Sequence, residues 1–298
     1  MGNFKTPLRY PGGKQKIWPF IEEVITVNGL RGGHYAEPYA GGAGVAMELL
    51  LGRFVSCIHL NDSCPSVFSF WHSVLNTPEE LCRKISRASL TINEWRKQKE
   101  IVNSPRGVSH LELGFAMFYL NRCNRSGILT AGVIGGISQE GNWKMDARFP
   151  RNELIRRIEA IADRRNAIKI RNWDAERFIN DYVPKLPRQT LIYCDPPYYN
   201  KADRLYMNHY NTADHVRIAK VIQERVKRPW IVSYDNALPI SALYKNRRTF
   251  FYSLQYNAAR VYQGEELFIV SDGLALPGNS AIPAINIALK RESAACGA

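Results

Sequence analysis

No stretch of this sequence approaches the ~20 consecutive apolar residues of a membrane span. The opening MGNFKTPLRYPGGKQ lacks the apolar region of a secretory signal peptide, so a cytoplasmic protein with no membrane partner is expected. Cys57, Cys64, Cys82, Cys123, Cys194 and Cys296 nowhere show C-x-x-C spacing. That argues against both a disulfide framework and a zinc site, and no metal is expected. The G-x-G-x-x-G spacing of dinucleotide-binding turns is missing, which weighs against a dehydrogenase. Arg9-Tyr10-Pro11-Gly12-Gly13-Lys14 is followed by Gln15 where a phosphate loop needs Ser or Thr, so an ATPase is set aside. Internal repeats and low-complexity runs are absent.

What remains is a chain of 298 residues, 45% hydrophobic, long enough for one catalytic domain with a smaller subdomain. Its net charge of +13 points to a polyanionic partner, and the distribution of that charge says more than its size. Residues 81–170 carry 17 Lys and Arg against 8 Asp and Glu, while residues 1–80 are nearly balanced. A surplus of solvated lysine and arginine on helices is the plainer explanation of the same numbers.

Five short β-branched or aromatic runs each end in a polar or glycine-rich corner: Tyr35–Glu37, Val55–Leu60, Ile168–Ile170, Leu191–Cys194 and Trp230–Tyr234. They read as buried strands of a mostly parallel α/β sheet, with polar groups gathered at the strand C-termini where such sheets bind ligands. Helical spacing fits Lys14–Val27, Ala43–Leu51 and Asp214–Val226, with Asp214 as N-cap. Between about 77 and 165 the alternation breaks into helical patterns around a polar, Gly-rich stretch at 121–142. A helical subdomain carrying a long hairpin or loop is expected there. Ala284–Leu289 reads as a last strand before a disordered tail.

Three motifs carry chemistry. Asp195-Pro196-Pro197-Tyr198 follows the strand LIYC directly; two prolines stiffen the corner and remove N–H donors. The Asp195 carboxylate and the Pro196 carbonyl then form a pair of acceptors suited to a planar –NH2 group, and Tyr198 offers a stacking face. A proline-rich turn capped by Asp is the structural alternative. Glu37-Pro38-Tyr39-Ala40-Gly41-Gly42-Ala43-Gly44 lies between a strand and a helix, where glycines permit close approach to a ligand at the helix N-terminus. Asp62, at the end of the next strand, is placed either to accept bonds from ribose hydroxyls or to cap the following helix. Gly-Gly-Lys at 12–14 reads as a turn and helix start.

Taken together, Y-P-G-G-K, E-P-Y-A-G-G-A-G, Asn61-Asp62, F-Y-L-N-R at 118–122 and Y-C-D-P-P-Y resemble the DNA-adenine methyltransferases related to the bacterial Dam enzymes. The resemblance runs from about residue 4 to about 270. It implies a Rossmann-like methyltransferase sheet built from 1–76 and 166–298, with an inserted, mainly helical target-recognition subdomain at 77–165. It implies S-adenosyl-L-methionine as methyl donor, contacted by Tyr10 and Lys14, held at the ribose by Asp62 and seated on the turn Glu37, Gly41, Gly42, Gly44. Asp195 would lie where donor and target adenine meet, with the base flipped out of double-stranded DNA. Arg122, Asn124 and Arg125 would sit on or beside the reading hairpin. Cytosine-N4 methylation makes the same demand on the acceptor pair, but Asp195 stands where such enzymes more often carry Ser. RNA as substrate and a catalytically silent binding relative are the other readings.

The chain departs from the family at Tyr10, often Trp, and in the hairpin. Relatives that read GATC carry N-G-L-C-R, with Arg three residues after Gly; here Gly127 is followed by Ile128-Leu129-Thr130. Thr130 lacks the bidentate fork that reads guanine O6 and N7. Methylation by this protein is therefore expected outside GATC; methylome sequencing of an expressing host that finds modification confined to GATC would overturn this.

Overall fold

The computed structural model describes residues 5–9, 14–199, 210–257, 261–278 and 288–289. All five predicted strands form, at His34–Glu37 (β1), Cys57–Asn61 (β2), Ile168–Arg171 (β3), Thr190–Cys194 (β4) and Trp230–Asp235 (β5). They pair in parallel in the order β3-β2-β1-β4-β5. Arg248–Asn257 (β6) and Val261–Val270 (β7) add an antiparallel hairpin beside β5, and Ala288–Leu289 (β8) closes an eight-stranded sheet. Of the expected last strand only these two residues are described; the tail and Tyr10 lie outside the described residues.

Side chains alternate between the faces at the period of two that strands impose. Leu191 and Tyr193 enter one core, Ile192 and Cys194 the other. Both faces are therefore covered, which is why these strands read as continuous apolar runs. Thr212–Arg225 (α8) covers the second face through Ile218, Ala219 and Ile222. Its N-cap is Asn211 rather than Asp214: Asn211 accepts from the Asp214 N–H while Asp214 bonds back, a reciprocal capping box.

The inserted segment is helical, with Pro78–Arg87 (α4), Ile92–Asn103 (α5), His110–Cys123 (α6) and Arg151–Ala162 (α7). It has no core of its own. One apolar cluster runs from Ile58 and Leu60 of β2 through Phe70 to Phe118, Leu154 and Ile158 of the insertion. The junction is α6 against Pro65–Asn76 (α3), where Phe118 stacks on Phe70 at 5.7 Å. Gly114 makes that approach possible, because a Cβ there would stand 2.6 Å from the Ser69 carbonyl oxygen and 2.8 Å from the Phe70 backbone.

The polar stretch after α6 is a narrow hairpin closed by a bridge between Asn124 and Val133. The N-terminal segment is latched onto it. Asn121 accepts from the Arg9 N–H (2.8 Å) and donates to the carbonyls of Arg9 (2.6 Å) and Gly127 (2.9 Å). Gly127, at φ 77°, is pressed against Arg9, whose carbonyl oxygen a Cβ would meet at 2.7 Å.

Gly114→Ala is expected to destabilise the protein by about 1–3 kcal/mol, because overpacking against an immovable backbone outweighs the gain in helix propensity. The denaturant midpoint measures it, and an unchanged or raised midpoint would show that α3 and α6 separate freely.

Candidate active site

The strand ends gather the predicted motifs at one edge of the sheet. β1 ends at Glu37, and the turn after it is bent by Gly41 (φ 46°) and Ala43 (φ 45°) before the helix Gly44–Leu51 (α2) begins. Gly44 lets the chain at Gln15 pass directly over the turn: a Cβ would stand 2.6 Å from Gln15 Cβ. Gly42 accepts from Thr6 Oγ1 at 2.6 Å. The glycine turn and the N-terminal segment are thus one packed unit.

Asn61 and Asp62 hold this turn from β2. Asn61 donates to the carbonyls of Pro38 and Trp173 (both 3.0 Å) and accepts from the Trp173 N–H (3.1 Å). Asp62 accepts from the Gly41 N–H and the Cys64 N–H, both at 2.9 Å. Asp62 is not the N-cap of the helix Pro65–Asn76, a place that Cys64 takes; it braces the glycine turn and the loop that leads into that helix. Burial pushes the Asp62 carboxyl up, and the two N–H donors oppose that.

Asp195 lies just past β4. Its Oδ1 accepts from Lys14 Nζ at 2.8 Å and from Ser233 Oγ at 2.7 Å, and Ser233 is joined to the Tyr193 hydroxyl at 2.8 Å. Lys14 is shared: its ammonium stands 2.7 Å from Glu266 Oε2, and Tyr198 donates to Glu266 Oε1 at 2.7 Å. Burial works against the Lys14 charge, but Asp195 and Glu266 outweigh it and raise its pKa, so the ammonium form is held.

Tyr198 is 4% exposed, with its ring 5.2 Å from Lys14 Nζ. The face expected to receive a base is therefore covered in this structure, and the phenol is an anchor for Glu266. Tyr199 beside it is half-buried; its N–H donates to Asp235 Oδ1 at 2.8 Å.

Arg122 and Asn124 depart from their expected place on a DNA-facing surface. Arg122 is buried and donates to the carbonyls of Arg148 (2.5 Å) and Pro7 (3.4 Å). Asn124 is fully buried, accepts from Trp95 Nε1 (2.7 Å) and donates to the carbonyls of Ile128 and Leu129. Polar residues next to a hairpin also serve to satisfy its backbone, and here that role takes both side chains inward. Arg125 is exposed.

Sequence reasoning missed Glu266 and Ser233. Ser233 sits inside a predicted strand, where a small hydroxyl gives no signal. Glu266 belongs to β7, a strand not anticipated, although an acidic residue beside the apolar run LFIV is an oddity that marks it.

Sheet order, with the antiparallel hairpin at one edge and polar groups at the parallel strand ends, defines a Rossmann-like methyltransferase. The family model for D12 class N6 adenine-specific DNA methyltransferases matches residues 10–261, and the chain belongs to that family. It is an adenine-specific DNA methyltransferase. Comparison with curated proteins finds no match. Two solved structures of the rRNA methyltransferase aviRa from Streptomyces viridochromogenes are similar to it at 13% identity. One aligns over 84% of this chain and 83% of its own with a TM-score of 0.37, the other over 88% and 86% with 0.41. A likeness of that size bears on neither substrate nor site. Among the described residues no helix is long and apolar enough to cross a membrane.

Glu37 supplies a pH test. It is buried, accepts from the Tyr35 hydroxyl at 2.9 Å, and burial with added repulsion from Asp195 pushes its carboxyl up to about 8. A carboxyl raised in the folded state contributes stability that is full below its unfolded pKa, near 4.5, and lost as pH rises through about 8. Between pH 5 and 9 the wild type should therefore lose up to about 4 kcal/mol relative to Glu37→Gln. Parallel stability-versus-pH curves for the two proteins would remove Glu37 from this account.

Proposed function

We propose that the methyl group comes from S-adenosyl-L-methionine and passes to N6 of an adenine swung out of double-stranded DNA, with Asp195 and the Pro196 carbonyl as its acceptors. The observation that carries this is the state of Asp195: among the described residues Lys14 and Ser233 both engage Oδ1, which leaves Oδ2 for an incoming amine. Oriented by two neighbours, the carboxylate and the rigid Pro-Pro corner fix the direction of the N6 lone pair. Holding nucleophile and methyl near attack distance is worth several kcal/mol of barrier.

The charge balance of the site suits the donor. Asp195 and Glu266 converge on a single lysine, so the cluster has room for another positive charge, and a sulfonium has one. When bound, S-adenosyl-L-methionine supplies a methyl already activated for in-line transfer. Asp62 and the turn at Gly41, Gly42 and Gly44 would hold its nucleoside and Lys14 its neighbouring polar groups. Tyr10 is assigned to the donor by family likeness alone.

For DNA we assign residues 77–165. Arg83, Arg96, Lys97, Arg125 and Lys144 are exposed there, on a segment that the charge count already marks as basic. Trp143, 71% exposed next to Lys144, is a large aromatic at a solvent-facing loop, the kind of side chain on which an unstacked base rests. Thr130 is exposed at the turn of the hairpin, where a base-reading residue is expected.

Asp195→Ala should cut single-turnover methylation of DNA by about a thousandfold, the kinetic equivalent of some 4 kcal/mol of lost orientation. Tyr198→Ala should lower it by about tenfold or more, and Tyr198→Phe should lower it less, since it keeps the ring and loses only the hydroxyl that anchors Glu266. Tritiated methyl transfer from S-adenosyl-L-methionine, followed by digestion and mass spectrometry, gives both rate and product. A near wild-type rate in a folded Asp195→Ala protein would sink the assignment of Asp195. N4-methylcytosine as the product would mean that the acceptor pair serves a different base.

A further inference from the structure

The opposite edge of the sheet carries a cluster that methyl transfer does not use. His34 opens β1 and Cys57 opens β2, and the two are register partners. His59 follows Cys57 by two residues and so projects from the same face. His34 Nδ1 stands 2.9 Å from His59 Nε2, and the ligand atoms of all three residues lie within 4.8 Å of one another. The Tyr182 hydroxyl contacts His59 Nδ1 at 3.0 Å. Strand length separates this cluster from Glu37 by three residues of β1, about 10 Å.

We propose that His34, Cys57 and His59 form a binding site for a transition-metal dication of the zinc class, with solvent completing the coordination. Two imidazoles and a thiolate are the donor set that soft and borderline metals select, and hard oxygen-seeking cations do not. Two nitrogens bound to a tetrahedral zinc stand about 3.4 Å apart, so the rings need part by only about half an ångström. Tyr182 is the orienting partner. By accepting from Nδ1–H it leaves Nε2 of His59 as the free donor, the arrangement typical of ligating histidines.

His34 and Cys57 are half-buried, which gives an ion a way in, while His59 is buried. Lys169 pairs with His59 across β2 and β3, and Arg171 lies over Tyr182 at 4.9 Å. Two cations so close disfavour a dication bound by neutral ligands alone. They make the Cys57 thiolate the necessary member of the set. An ion here would clasp β1 to β2 and add stability by mass action without touching the reacting groups.

The test uses full-length protein stripped with a chelator and titrated with Zn2+ against a chromophoric competitor, and separately with Co2+. The expected result is about one metal ion per chain with the visible absorption of tetrahedral cobalt and a thiolate-to-cobalt band. Cys57→Ser should abolish that band, Cys57→Ser and His34→Asn should each weaken zinc at least about tenfold, and Cys82→Ser should change neither. Zinc should raise the melting temperature of wild type and not of Cys57→Ser. Absence of stoichiometric binding by wild type at micromolar metal would overturn the proposal. So would binding that survives both ligand substitutions, and either result leaves a hydrogen-bonded His-His-Tyr cluster in its place.

Discussion

One buried ammonium organises the active site. Lys14 stands between Asp195 and Glu266 with little access to water, and each ion taken from water into such a place costs several kcal/mol unless it is paired. Lys14 is paired twice. The consequence is geometric: the segment that begins at Lys14, the loop after β4 and strand β7 have to arrive together, because any one of them missing leaves a buried charge uncompensated. Ser233 from β5 and Tyr198 from the proline corner complete the arrangement by donating to Asp195 Oδ1 and Glu266 Oε1. Catalytic geometry is therefore a property of four chain segments at once.

A second constraint ties the hairpin after α6 to that site. Asn121 locks Arg9 and Gly127 together, and Arg122 reaches from the same helix to Pro7 and Arg148. The base of the hairpin and the strand of chain that leads to Lys14 thus share hydrogen bonds. Displacing the hairpin on DNA would pull on residues five positions before Lys14. This hydrogen-bond path names the side chains through which coupling would have to pass.

Much of this was legible in the sequence, for physical reasons that differ by element. The five parallel strands were visible because burial on both faces leaves apolar runs, and the motifs were visible because tight turns at strand ends demand glycine, proline and short acids. The β6–β7 hairpin was not, since its apolar residues are interleaved with polar ones and its pairing is set by tertiary contacts. With it went Glu266. Arg122 and Asn124 were misplaced because charge and polarity mark a residue as needing partners without saying whether those partners are phosphates or backbone carbonyls. Asp214 was placed three residues late because a reciprocal cap contains two acceptors and only their order tells them apart. The His34–Cys57–His59 cluster escaped a search for cysteine spacing, since its members meet across two strands 25 residues apart at the outer pair.

The charge pattern itself separates the two substrates. Over the whole chain the net charge is +13, so the long-range field draws a polyanion to the surface, most strongly at the inserted segment. Inside, the signs reverse: Asp195 and Glu266 flank one lysine. A phosphate cannot follow the field into such a pocket, whereas a neutral adenine can, and a cationic donor is favoured there. Burial strengthens that discrimination, since electrostatic energies grow as water is excluded. On the proposed reading DNA would be held at the rim by its backbone and admitted to the chemistry only through a base, the division of labour that an enzyme methylating an exocyclic amine requires.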